Sequence, residues 1–223
     1  THETLSKASP NNPVLLTHAS GHATYANAKA MAAAGITRRT PNPQGGEILH
    51  DAGGNLVGVF RERASGLVRG ALAESLKQRT PAEVEANERQ VVELAVQDCL
   101  SKGITTFYDA GQSFSTIDFY QKLADEGKLG LRLWVMVQEG NKSLEQNLAR
   151  YRLIDYGNKH LTVRSIKRLM DGALGSRTAW LLEPYADLAT STGLNTYPPA
   201  DLAETARLAL ENGFQLCTHA IGD

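Results

Sequence analysis

An α/β fold built on a parallel sheet, forming part of a (β/α)8 barrel with a hairpin-containing accessory segment ahead of it, is what the sequence predicts. Three observations point to it. From Thr80 to His219 helical and strand patterns alternate. The strands of that stretch are each reached through a helix, which implies right-handed crossovers between parallel neighbours. Polar residues also gather at or near the strand ends: Asp109, Gln138, Lys167, Asp171 and His219. The first two observations fit a doubly wound sheet as well as a barrel. The third favours the barrel, where such residues converge on one mouth at the carboxyl ends of the strands.

The accessory segment, residues 1–79, is irregular. Pro13-Val14-Leu15-Leu16 reads as a short strand, a turn follows at Gly21-His22, and an Ala-rich helix from about Tyr25 to Ala34 is closed by Gly35, because glycine accepts the left-handed backbone that ends helices. In TPNPQGGEILHDAGGNLVGVFRE two strand patterns flank Asp51-Ala52-Gly53-Gly54, a hairpin with a four-residue loop. A polar helix is expected from about Glu62 to Lys77. The second segment, residues 80–223, opens with Thr80 as N-cap, Pro81 at the first helical position and Glu83 completing a capping box. Apolar Val84, Val91, Leu94, Ala95 and Leu100 carry that helix towards Gly103. The strand ITTFYDAG follows, then a helix from about Thr116 to Glu126 and the strand LRLWVMV. A helix from Ser143 to Tyr156 leads to the strand holding Lys167, and a helix from about Pro199 to Asn212 leads to FQLCTH, ending at His219.

Composition excludes several classes of function. With 223 residues, 42% of them hydrophobic, the chain can bury a substantial core. Lys plus Arg total 23 against 24 Asp plus Glu, so no general attraction to nucleic acid or to an anionic membrane is expected. No apolar run approaches the about 20 residues that cross a bilayer. The opening THETLSKASPNNP is polar and lacks a signal-peptide core. A cytoplasmic location is expected, with export left open because the chain does not begin with Met. Cys99 and Cys217 form no disulfide framework.

Lys167 raises the central chemical question. It sits in an apolar strand, and desolvating an unpaired ammonium costs several kcal/mol. Strict alternation puts Val163, Ser165, Lys167 and Leu169 on one face, with Arg164, Ile166, Arg168 and Met170 on the other. One reading pairs Lys167 with Asp171 or Asp109. The other makes it a neutral amine that takes up carbon dioxide to become a carbamate, an anionic oxygen ligand able to bridge two metal ions. His219 is either a hydrogen-bonded core histidine or a metal ligand. Cys217, two residues earlier, reads as a small buried hydrophobe. His18 and His22 have ligand spacing on a helix, yet Pro13 and Gly21 argue for strand and turn there.

The segments NPVLLTHASGHATYANAKAMAAAGI, TPNPQGGEILHDAGGNLVGVFRE, GITTFYDAG, IKRLMDGALGSRTAWLLEPYAD and CTHAIGD together resemble the amidohydrolase family 3 branch of the metal-dependent hydrolases, which includes N-substituted formamide deformylase. The resemblance spans nearly the whole chain, and its last two blocks are the most specific. It implies a metal-binding barrel beside a small β-rich domain and hydrolysis of a C–N bond other than a peptide bond. Lys167 matches the lysine that becomes the carbamate ligand after the fourth strand, and His219 the histidine ligand ending the fifth. One or two zinc or other divalent ions and a small amide-like substrate are then expected. His22 and Arg177, each in a Gly-containing loop near a strand end, are candidates for substrate contacts. Their structural alternatives are a turn histidine and an arginine paired with Asp171 or Glu183.

The departures from the family pattern bear on activity. The His-x-His pair of the first strand, the later histidine and the aspartate that serves as general base have no counterpart in the chain, which matches the centre of a longer enzyme. As a fragment it is expected to hold zinc poorly and to be inactive, and its open sheet edges to be covered by more polypeptide or by a second copy in a homo-oligomer. Two rival classes stay open: a barrel enzyme using Lys167 as a Schiff-base nucleophile, and a non-catalytic binding or assembly domain.

Overall fold

The computed structural model describes residues 1–223. Two compact units divide the chain: Thr1–Arg79 with Leu169–Tyr197 and Ala220–Asp223, and Thr80–Arg168 with Pro198–His219. The second unit starts at the capping box, while the stretch Leu169–Tyr197 after Arg168 groups with the first.

The first unit is built on an antiparallel sheet. After a short helix α1 (Glu3–Ala8), strand β1 (Leu15–Thr17) pairs with β2 (Ala23–Ala26), which is followed by helix α2 (Ala28–Ala33). Strands β3 (Gly46–His50) and β4 (Leu56–Glu62) form the expected hairpin, and the sheet order is β1-β2-β4-β3. Within the hairpin loop Asp51 accepts from the amides of Gly53 and Asn55, the usual role of Asp in a turn. Helix α3 (Ser65–Leu76) starts later than expected, because Glu62 adopts a left-handed φ of 46° and turns the chain. Ala26, Ala30, Met31, Ile36, Ile48, Phe60 and Val68 make the core. Tyr25, expected to open a helix, lies in β2 opposite Val59. The helix begins only after Asn27, whose side chain accepts from the Ala30 amide, so the cap rather than the alanine run sets the boundary.

The second unit is an α/β layer. Helix α4 (Pro81–Ser101) carries the full Thr80–Glu83 capping box. Strand β5 (Thr106–Gln112), helix α5 (Phe114–Asp125), strand β6 (Arg132–Val137) and helix α6 (Asn141–Asn147) follow, then a 3-10 turn over Leu148–Tyr151. The short strand β7 (Leu153–Asp155) and the one-turn α7 (Tyr156–Lys159) precede β8 (Leu161–Leu169). Helix α8 (Pro199–Glu211) and strand β9 (Gln215–His219) complete the unit. β5 and β6 are parallel, β6 and β8 are parallel, and β9 lies beside β8, so the four expected strands are adjacent.

The long helix expected from Ser143 to Tyr156 stops early. Leu144, Leu148 and Tyr151 keep helical spacing and are buried, but the chain then extends as β7, antiparallel to β8 at Leu153↔Val163. Val135, Val137, Leu161, Val163 and Ile166 pack with Ile117, Leu123 and Leu208 on the helix-covered face of the sheet. Helix α4 buries none of its residues, and Val91, Leu94 and Leu100 stay exposed together with Phe107 and Tyr108 of β5. No helix is long and apolar enough to cross a membrane.

Candidate functional site

Strand β8 departs from strict alternation at one residue. Val135 pairs with Val163 but Met136 pairs with Ser165, so Arg164 is an extra residue, a β-bulge. The bulge keeps Leu161, Val163 and Ile166 in the core and places Arg168 on the same side. Ser165 and Lys167 therefore face the opposite side of the sheet, and the expected grouping of Lys167 with Val163 is corrected. Trp134 of β6 shares that side: its indole N–H donates to the Ser165 hydroxyl at 2.6 Å, and its ring stacks on Tyr108 of β5 with centroids 5.8 Å apart.

His219 reaches this side by simple alternation. Leu216 of β9 packs on the core, so Cys217 and His219, at odd spacing from it, lie on the other face. Lys167 and His219 thus occupy one face of neighbouring strands near their ends, both partly buried. No ion pair of the structure involves Lys167. Of its expected partners, Asp109 accepts from Gln112 and from the Tyr120 hydroxyl at 2.9 Å. Burial, helped by that carboxylate, pushes the Tyr120 hydroxyl well above the ordinary phenol range. Asp109 thereby belongs to the helix-covered side rather than to the strand-end cluster expected of it.

Arg168, next to Lys167, is 4% exposed. Its guanidinium donates to the Thr205 hydroxyl (3.0 Å), to the carbonyls of Lys167 (2.9 Å) and Glu139 (2.8 Å), and to the Asn141 amide oxygen (3.0 Å). One side chain so joins the end of β8 to the start of α6 and the middle of α8.

In the first unit His22 and Glu62 form a partly buried pair, Nδ1 to Oε2 3.0 Å, with side chains 10% and 7% exposed. The other Glu62 oxygen accepts from the Thr178 hydroxyl at 2.6 Å, and Ser176 is hydrogen-bonded to Thr178 at 2.7 Å. Gly172 closes the group: a Cβ there would collide with Thr178 Oγ1 and Glu62 Oε1. Arg177 has a left-handed φ of 57° and pairs with Asp187, not with Asp171 or Glu183, at 2.7 Å on the surface. The Arg177 hydrogen bond holds the Asp187 carboxyl below the usual carboxylate range. Asp171, 2% exposed, accepts three backbone amides: Trp180 (2.9 Å), Ile221 (3.0 Å) and Gly222 (2.7 Å). Sequence reasoning singled out neither Glu62 nor Arg168. An isolated carboxylate ending an apolar strand, and a second basic residue beside Lys167, were the available signals.

No group of three His, Cys, Asp or Glu side chains is placed to hold a metal ion. The two expected donors, the His219 imidazole and the Lys167 amine, would make at most a partial shell, the lysine a ligand only as a carbamate.

The fold is that of metal-dependent hydrolases of known structure. An uncharacterized metal-dependent hydrolase from Pyrococcus horikoshii OT3 superimposes over 100% of this chain and 42% of its own, with a TM-score of 0.65 and 23% identity, a likeness of fold. One from Pyrococcus furiosus matches 96% of this chain and 41% of its own, with a TM-score of 0.63 and 26% identity. The chain belongs to the amidohydrolase family, whose model matches residues 1–223. YtcJ of Bacillus subtilis (strain 168), which carries an amidohydrolase name, is 31% identical over 98% of this chain and 40% of its own length. The N-substituted formamide deformylase of Arthrobacter pascens is 27% identical over 98% and 40%, and the LONG AFTER FAR-RED 3 protein of Arabidopsis thaliana 28% identical over 98% and 38%. The chain spans about two fifths of the length of these curated relatives.

Proposed function

We propose that this chain is part of a metal-dependent hydrolase, that Lys167 as a carbamate and His219 are two of its metal ligands, and that the complete enzyme cleaves a C–N bond other than a peptide bond in a small amide- or formamide-like substrate. The strands of the second unit are then about half of a (β/α)8 barrel. The observation that carries the reading is the shared face of Lys167 and His219 on neighbouring strands, produced in β8 by the Arg164 bulge. Family membership and the name of the formamide-cleaving relative support the reaction class.

Two protein donors fall short of the about three that hold a catalytic zinc, so the remaining ligands and the general base belong to other parts of the enzyme. A bound divalent ion would supply water of lowered pKa and polarise the substrate carbonyl. This chain's own residues hold the donors: the bulge turns Lys167 from the apolar core, and Arg168 fixes the Lys167 carbonyl. The partly buried His22–Glu62 pair and the exposed Arg177–Asp187 pair favour the structural alternatives for His22 and Arg177 over substrate contacts.

The test is Lys167→Ala in the complete polypeptide, assayed for zinc-dependent hydrolysis of an N-substituted formamide. Activity should be lost and partly restored by added short carboxylic acids, which replace the carbamate oxygens. Wild-type turnover and metal content in Lys167→Ala would refute the assignment.

A further inference from the structure

We infer that Asp171 is a positioning residue: its carboxylate holds the segment that leaves β9 immediately after His219. Where it concerns the metal site, the inference rests on the hydrolase reading above. Asp171 lies four residues past Lys167 and is 2% exposed. Its Oδ2 accepts from the amides of Trp180 and Gly222 and its Oδ1 from that of Ile221, which compensates a buried charge with backbone dipoles. Two separate stretches of chain, 180 and 221–222, are pinned to one side chain. Gly222 belongs to the same device, because a Cβ there would collide with the Trp180 backbone carbonyl. Asp223 adds a parallel tie by accepting from the Leu182 amide at 2.8 Å. Ile221 is two residues beyond His219, so fixing its amide removes the backbone freedom through which the imidazole would wander.

Asparagine cannot replace this group. Whichever way its amide is turned, at least one of the three N–H groups faces an NH2 donor. In the complete polypeptide, Asp171→Asn should raise hydrogen exchange at Trp180, Ile221 and Gly222 by about tenfold to a hundredfold. Val135 and Val163 should exchange as in the wild type. Gly222→Ala, which keeps the carboxylate, should loosen the same residues and carries the test if Asp171→Asn unfolds. In both variants zinc retention on dialysis should fall by about tenfold. Wild-type exchange in both variants would overturn the inference, and so would wild-type zinc affinity alongside faster exchange. If the wild-type polypeptide binds no zinc, the hydrolase reading fails, and local exchange alone decides whether Asp171 holds the segment.

Discussion

Replacing Arg168 by alanine removes a buried cation that ties β8 to α6 and α8. The guanidinium is buried and donates to the carbonyls of Lys167 and Glu139 and to the side-chain oxygen of Asn141, which also accepts from the Thr205 hydroxyl. A buried acceptor stripped of its donor costs about 1–3 kcal/mol, more for charged partners. Water entering the space left by the side chain recovers part of that. Summed over these neutral acceptors, the net loss should be about 3–5 kcal/mol, a large share of the about 5–15 kcal/mol that stabilises a typical domain. Thr205 suffers least, because its hydroxyl proton still finds the Asn141 oxygen or the Asp201 carbonyl as acceptor. Arg168→Lys should recover less than half, since one ammonium cannot span acceptors on β8, α6 and α8, and Arg168→Met should behave like the alanine variant. The sequence has two tryptophans, Trp134 in the second unit and Trp180 in the first, so urea unfolding is best followed through Trp134 in a Trp180→Phe background. With a slope of about 1–3 kcal/mol per molar urea, the midpoint should fall by at least about 1 M. A loss below about 0.5 kcal/mol, as at an ordinary surface site, would refute the assignment of Arg168 as a buried tie.

Two other perturbations have definite signs. Gly172→Ala drives a methyl into the Glu62 and Thr178 side chains and should destabilise the first unit by about 1–3 kcal/mol, read as a lowered unfolding midpoint through Trp180 in a Trp134→Phe background; a neutral result would mean that the His22–Glu62–Thr178 chain is loosely held. The Arg89 hydrogen bonds lower Glu126 from an ordinary 4.5 to about 2. A depressed carboxylate stabilises the fold above pH 4.5 and loses that contribution as the pH falls towards 2. An acid titration of stability should therefore be shallower in Glu126→Gln over that window, and the difference should shrink in high salt because the pair is exposed.

The elements readable in the sequence are those whose signals are local. Thr80, Pro81 and Glu83 specify a helix start without help from the rest of the chain, and the box is formed as expected. The hairpin around Asp51 likewise rests on turn chemistry. Tyr25 was misread because an alanine-rich run has high helix propensity, whereas pairing with β1 and β4 makes it a strand; tertiary contacts override weak local preference. The same holds for the stretch after Asn147. Leu144, Leu148 and Tyr151 have helical spacing because the 3-10 turn keeps them on the core, and only the pairing of Leu153 with Val163 reveals the strand beyond.

The candidate site was half legible for a related reason. Lys167 and His219 are individually visible as polar residues ending apolar strands, but their placement on one face depends on a bulge that strict alternation cannot supply. A trace of it exists in the spacing of the apolar residues. Leu161 and Val163 are two apart, whereas Val163 and Ile166 are three apart, and an interval of three cannot keep both on one face of a regular strand. An extra residue between them restores the shared face, and Arg164 is exposed while Ser165 is buried, so the charged residue is the one extruded. Without the insertion Lys167 would fall on the side of Val163, and its charge would have to be desolvated among the apolar groups of the core. The bulge therefore answers two demands at once: it keeps the apolar residues of β8 buried, and it sends the lysine to the face where His219 lies.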